Sequence, residues 1–221
     1  MSFYEQLAAE TADARNTLLS SPIVADCLRG EVSLPSYLAF LGQAFHHVRH
    51  TTPLLMSLGG KLPERLAWLR RAVAEYIEEE IGHEEWILND IAAAGGDAEA
   101  VRQSRPDLPA EVMVAYAYDL IARGNPAAFF GMVFVLEGTS VALALQAADR
   151  IQQTLGLPNK AFSYLRSHGT LDQEHTKHLA ALLEQMTPDD QADVVHAAKV
   201  FYKLYGDIFR ALPAAKETPC N

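Results

Sequence analysis

The chain has 221 residues, 49% of them hydrophobic and 21% charged, with 18 Lys and Arg against 28 Asp and Glu for a formal net charge of −10. These figures fit a single globular domain, 1–221, that buries a full core without disulfide or metal staples, and they exclude a disordered or low-complexity chain. No basic stripe is left over to neutralise a nucleic acid backbone or an anionic membrane surface, so neither is expected as a partner.

The N-terminal run Met1-Ser-Phe-Tyr-Glu-Gln lacks the basic and apolar regions of a signal peptide, and Cys27 and Cys220 are the only cysteines. Both features point to a reducing cytoplasm. Breakers such as Pro22, Gly59-Gly60, Gly95-Gly96, Gly124-Asn125-Pro126, Gly156 and Thr187-Pro188 separate long stretches with apolar residues at spacings of three and four. No stretch alternates as a strand does, so the fold class is all-α. Helices are expected at 3–20, 23–30, 34–57, 63–94, 109–123, 126–154, 159–186 and 189–211, with Asn125 and Thr187 as N-caps before a first-turn proline.

On the helix at 34–57, Gln43 precedes His46, His47 and His50. His46 and His50 are spaced i, i+4 and could in principle share a metal. The more ordinary arrangement puts Gln43 or His47 on a pocket wall and the others at solvent or a helix end. On the helix at 63–94, Glu80 and His83 form a Glu-x-x-His pair, the spacing by which bundle di-metal sites draw a carboxylate and an imidazole from one helix. Glu79 also shares a face with His83, and runs of Glu on long helices are otherwise solvated faces.

The helix at 126–154 holds the only stretch approaching a membrane span, Ala127 to Leu145. Glu137 interrupts it among Val133, Phe134, Ser140 and Val141, and a carboxylate there loses several kcal/mol of hydration unless paired or bound to a cation. A buried core helix is the better reading. On the helix at 159–186, spacings of four and three align His168, Asp172 and His175 on one stripe. Such a set suits iron, manganese or zinc, although an amphipathic helix with histidines on its polar face reads the same way. Six N/O ligands shared by two metals leave open positions, as catalysis requires.

Together these residues resemble the haem-oxygenase-like di-iron oxidases and oxygenases. The resemblance covers Glu80 and His83, Glu137 within Phe-Val-Leu-Glu-Gly-Thr, and His168-x-x-x-Asp172-x-x-His175, with the segment Tyr37 to Val48 similar to a helix of the wider superfamily of haem oxygenase, thiaminase II and pyrroloquinoline quinone synthase. It implies a haem-oxygenase-like bundle of seven to eight helices and two irons cycling between Fe(II) and Fe(III), with manganese possible in their place and O2 as co-substrate. It also implies a biosynthetic oxidation of an amino acid or fatty acid, by N-oxygenation or oxidative C–C cleavage. Tyr164 matches a tyrosine of the para-aminobenzoate-forming branch, whose lysine is missing from Gln146 to Arg150, and the short Glu-x-x-His looks more like the branch that cleaves fatty acids or amino acids. Tyr164 is thus a candidate hydrogen-bond donor or electron source. Phe129, Phe130, Met132 and Phe134 are expected to shape the pocket, with Gln43, His47 or Arg49 holding a substrate carboxylate.

Two rival readings stand beside this one. A metal-free relative of thiaminase II or pyrroloquinoline quinone synthase would use Glu137 and the histidines as acid and base on a small heterocycle, without a cysteine nucleophile, since neither Cys27 nor Cys220 lies on an expected pocket helix. A non-enzymatic helical metal-binding protein would hold the ligands without turnover. A small-molecule substrate and a homodimer formed through exposed apolar helix faces complete the expectation.

Overall fold

The structure, a computed structural model, describes residues 1–213, and within them all side chains but those of 168–175. Among the described residues every regular element is a helix. The chain opens with α1 (Phe3–Glu10), α2 (Ala12–Leu19), α3 (Pro22–Leu28), α4 (Leu34–Val48) and α5 (Thr51–Lys61). It continues through α6 (Leu69–Glu80), α7 (His83–Ala93), α8 (Ala98–Gln103) and α9 (Leu108–Arg123), and closes with α10 (Phe130–Leu155), α11 (Ser163–Glu184) and α12 (Pro188–Ala211).

These are more segments than the seven or eight expected, because three of the long helices are each broken by a local device. The helix expected at 3–20 breaks at Thr11, whose hydroxyl donates to the Leu7 carbonyl at 2.7 Å. The one at 34–57 bends at Arg49 and His50, between α4 and α5. The one at 63–94 breaks at Ile81, which is extended, and Gly82, which takes φ +90°. A left-handed residue there is inexpensive only for glycine. The helix α8, started by the Asp97 side chain accepting from the Ala100 N–H, lies where a loop was expected.

The expected caps are present. Asn125 accepts from the Ala127 N–H at 3.1 Å, though the chain makes one 3-10 turn, Pro126–Phe129, before α10 begins. Thr187 accepts from the Asp190 N–H and starts α12. Close by, Asp190 is 1% exposed and receives both Arg65 nitrogens, at 2.6 and 2.8 Å, with Asn125 and the Thr187 hydroxyl each at 2.7 Å. The Arg65 guanidinium holds the Asp190 carboxyl far below the usual carboxylate range.

At the centre of the bundle α10 runs against α11 and α12. The span Pro126–Leu155 is long and apolar enough to cross a membrane, but half of its most apolar window is buried inside the protein, as in a core helix. Gly131 lets α10 and α12 touch backbone to backbone, since a Cβ there would lie 2.7 Å from the Val194 carbonyl oxygen and 2.8 Å from the Ala198 nitrogen. Two apolar clusters result. The larger gathers α1, α5, α6, α9, the first half of α10 and α12; the smaller gathers α4, α7, the second half of α10 and the start of α11. The seam between them holds a cavity.

Candidate functional site

A cavity of about 180 Å³ occupies that seam, taking Leu55, Phe129 and Met132 from the larger cluster and Tyr37, Ala144 and Ile151 from the smaller. The helix α10 supplies its longest wall. Met132, Val133, Leu136, Glu137, Ser140, Leu143, Ala144, Ala147 and Ile151 face it, at the spacings of three and four that define one face of a helix, and Phe129 of the preceding 3-10 turn extends the wall. From Glu137 to Ile151 that wall is about 21 Å long at 1.5 Å per residue. The polar side chains on the lining include Glu80, Glu137, His47, Tyr76, Tyr164 and Tyr205, while Ile23, Val24, Leu28, Val32, Phe40 and Phe209 make an apolar region.

Glu80 and His83 come together, but by a route the spacing did not foretell. Glu80 is the last residue of α6 and His83 the first of α7, so the Glu-x-x-His pair spans the Gly82 break instead of riding one continuous helix. The His83 Nδ1 lies 3.1 Å from Glu80 Oε2, with the two side chains 5% and 12% exposed. The Trp86 indole stacks on the imidazole at 3.9 Å and fixes its plane. Glu79 is exposed, so of the two candidates it is Glu80 that faces inward. Glu137 is 8% exposed and lines the same cavity as Glu80.

His168, Asp172 and His175 lie outside the described residues, although the helix α11 on which they were expected is formed. Among the described residues no three carboxylate, imidazole or thiol groups gather as a complete metal site. The described half of the ligand set nevertheless fits iron by its chemistry. A buried imidazole paired with one carboxylate, and a second carboxylate on the shared cavity, offer hard and borderline donors with no thiolate.

Residues 38–206 match the family described as iron-containing redox enzymes. The chain belongs to that family. No curated protein matches it. Among solved structures it is similar to a domain of unknown function with a haem-oxygenase-like fold from Shewanella denitrificans OS217, at 25% identity and TM-score 0.85, covering 94% of this chain and 90% of that one. The haem oxygenase of Leptospira interrogans aligns at 15% identity and TM-score 0.75, over 96% of this chain and 100% of that one. A TenA homologue from Pseudomonas syringae pv. tomato DC3000 aligns at 14% identity and TM-score 0.73, over 94% and 90%. The fold of this family member is therefore haem-oxygenase-like, a fold shared by proteins of the TenA type.

Several expected pocket residues of this iron-containing redox enzyme family member stand elsewhere. Phe130 and Phe134 belong to the larger core and not to the cavity lining, because the inward positions are Phe129, at the end of the turn before α10, and Val133, one position away in each case. Phe130 packs on Tyr76, and Phe134 on Tyr4 and Tyr202. Gln43 turns to the start of α9, where its Oε1 accepts from the Asp107 N–H at 3.0 Å. Arg49 is exposed and lies over the Phe45 ring. His46 and His50 do not share a metal: His46 meets the Ser104 hydroxyl at 2.9 Å and His50 the Tyr118 hydroxyl at 3.1 Å. Burial lowers the pKa of both imidazoles.

His47 does line the cavity, buried and edge-on to Tyr205 at 5.7 Å, and so does Tyr164. Cys27 was placed off the pocket by the sequence and is in fact on its wall. Burial pushes its thiol up to about 11, so it stays protonated at neutral pH and is a poor nucleophile. Tyr76 and Tyr205 went unnoticed. Tyr76 stands four residues before Glu80, and that i, i+4 relation to a candidate ligand was the available signal. Tyr4 also escaped notice: burial raises its pKa, and the Glu137 charge adds to the rise, which sets the α1 phenol near that carboxylate.

Proposed function

We propose that this chain is a non-haem di-iron oxygenase that uses O2 to oxidise a small amphipathic molecule, an amino acid or a fatty acid, with N-oxygenation or C–C cleavage as the outcome. The observation that carries the reading is that Glu80 and Glu137 line one largely apolar cavity, with the buried His83 imidazole 3.1 Å behind Glu80. Glu80, His83 and Glu137 would hold the metals together with His168, Asp172 and His175. Bound iron supplies the reduction of O2 and the oxidising equivalents.

The chain's own groups do the rest. The apolar wall of α10 takes the tail of the substrate and excludes water, which strengthens every charge interaction at the polar end. His47, Tyr76, Tyr164 and Tyr205 bring donors to the cavity that orient a polar head group. Tyr164 lies on the first turn of α11, where its phenol can donate a hydrogen bond or a proton to the substrate. The Cys27 thiol, protonated at neutral pH, weighs against a cysteine nucleophile of the thiaminase II kind.

The test is stopped-flow absorbance of protein loaded anaerobically with Fe(II) and mixed with O2, across a panel of amino acids and fatty acids, with iron per chain assayed alongside. About two irons per chain and a transient visible absorption accelerated by one substrate class support the reading. Protein that binds no iron sinks it and moves the case to acid–base chemistry. Iron binding with no O2 consumption for any substrate favours a metal-binding protein without turnover.

A further inference from the structure

Asp90 is the one charged side chain in the protein's described interior that is 0% exposed, and the chemistry proposed above makes no use of it. It lies on α7 and off the cavity lining. Its acceptors are taken by a helix 73 and 74 residues further along the chain: Oδ1 receives the Ser163 N–H at 2.9 Å and the Ser163 hydroxyl, and Oδ2 receives the Tyr164 N–H at 2.9 Å. Those are the first two residues of α11.

The first N–H groups of any helix have no partner within it and are ordinarily met by a local Ser, Thr, Asp or Asn. At α11 the N-cap position is Phe162, which offers no side-chain acceptor, so the cap comes from another helix. A cap supplied across helices does more than start a helix. It fixes where that helix starts relative to the donor of the cap. On α7 the same residue lies seven positions, about two turns, beyond His83, so both occupy the buried face of one short rod.

The geometry points to Asp90 as a positioning residue that holds the first turn of α11 in register with α7, keeping Tyr164 on the cavity wall and presenting α11 to Glu80, His83 and Glu137 in a single orientation. Two further ties converge on the same turn. The Tyr37 hydroxyl of α4 donates to the Ala161 carbonyl at 2.6 Å, and Arg166 donates to Asp149 at 2.8 Å and Gln152 at 2.9 Å on α10. Asp90 differs from these in being wholly buried and in meeting three donors with two oxygens. Asparagine has the same shape but replaces one oxygen with an NH2 that would face a donor. A catalytic base would need a lone pair aimed into the cavity, whereas both Asp90 oxygens are engaged by α11.

The link to metal rests on the di-iron reading, and the test separates the two. Asp90→Asn and Ser163→Ala are compared with the unsubstituted protein by amide hydrogen exchange without metal, by Fe(II) affinity against a chromophoric chelator, and by urea unfolding. Asp90→Asn is expected to speed exchange at residues 163–167 about tenfold or more while α10 and α12 keep their protection, and to weaken Fe(II) binding about tenfold. Ser163→Ala, which removes one hydroxyl and leaves both N–H donors, should move both readouts the same way by less, and it decides the matter if Asp90→Asn does not fold. Unchanged exchange at 163–167, exchange sped uniformly through the protein, or locally faster exchange with Fe(II) affinity unaltered would each overturn the positioning role. If the unsubstituted protein binds no Fe(II), the di-iron reading fails by itself and the exchange pattern alone decides the part played by Asp90.

Discussion

Asp190 and Glu137 are both buried carboxylates on the long helices of the central bundle, one near the start of α12 and one within α10, yet their surroundings differ in kind. Around Asp190 the protein has gathered a guanidinium, an amide and a hydroxyl at hydrogen-bonding distance, and together they join the turn at Arg65, the turn at Asn125 and the start of α12. Around Glu137 it has built an apolar cavity that holds another carboxylate, an imidazole and several phenols. A carboxylate met by fixed protein donors serves the scaffold, because any movement there leaves a buried charge uncompensated. A carboxylate set on a cavity wall is placed where a cation or a substrate can reach it.

Substituting each carboxylate in turn breaks the comparison most sharply. Glu137→Ala should leave the fold in place and reduce iron affinity by more than about 100-fold, since losing a ligand exceeds the loss of a supporting partner; equilibrium dialysis against Fe(II) measures it. Asp190→Ala should do the reverse, costing about 2 kcal/mol in urea unfolding through the lost hydrogen bonds from half-exposed Arg65 and from Asn125 and Thr187, with iron per chain unaltered. Iron loss in the second variant, or a comparable stability loss in the first, would erase the distinction.

The two clusters explain what could and could not be read from the sequence. The all-α class was legible because Gly and Pro fall between stretches of helical period, and the caps at Asn125 and Thr187 because each precedes a proline. The break at Gly82 was also within reach: a glycine inside Glu-Glu-Glu-Ile-Gly-His costs a helix about 1 kcal/mol relative to alanine, which is reason to suspect a joint. The cavity wall was not. In α10 apolar residues occur on every side, so sequence alone does not fix which face turns inward: of the expected Phe129, Phe130, Met132 and Phe134 only Phe129 and Met132 line the cavity, and Val133 joins them. Nor does local spacing reveal that Gln43 meets Asp107, or that Asp90 caps a helix more than seventy residues later.

The apolar region of the cavity allows a finer test of the same contrast. Ala147→Phe should raise KM about tenfold for substrates with the longest tails and leave iron affinity and short substrates unaffected, as steady-state kinetics over a chain-length series would show. The smallest effect concerns acid. The Asp190 carboxyl is held below its unfolded value, so its contribution to stability is complete above about pH 4 and is lost as pH falls below that. Urea midpoints measured from pH 5 to pH 2 should therefore fall less steeply in Asp190→Asn than in the unsubstituted protein.

Gly131 carries a geometric consequence for the site as a whole. A methyl group at that position would act as a wedge between two helix backbones, overlapping Val194 and Ala198 from the facing helix. Neither backbone can fold out of the way as a flexible side chain can, so the axes themselves would have to part. Glu137 follows six residues later on the same rod, about 9 Å along its axis. The depth at which its carboxylate sits is thus gauged by an absent side chain: alanine, the gentlest substitution available almost anywhere else in a helix, would here work as a lever with its fulcrum at α12 and its far arm at the cavity.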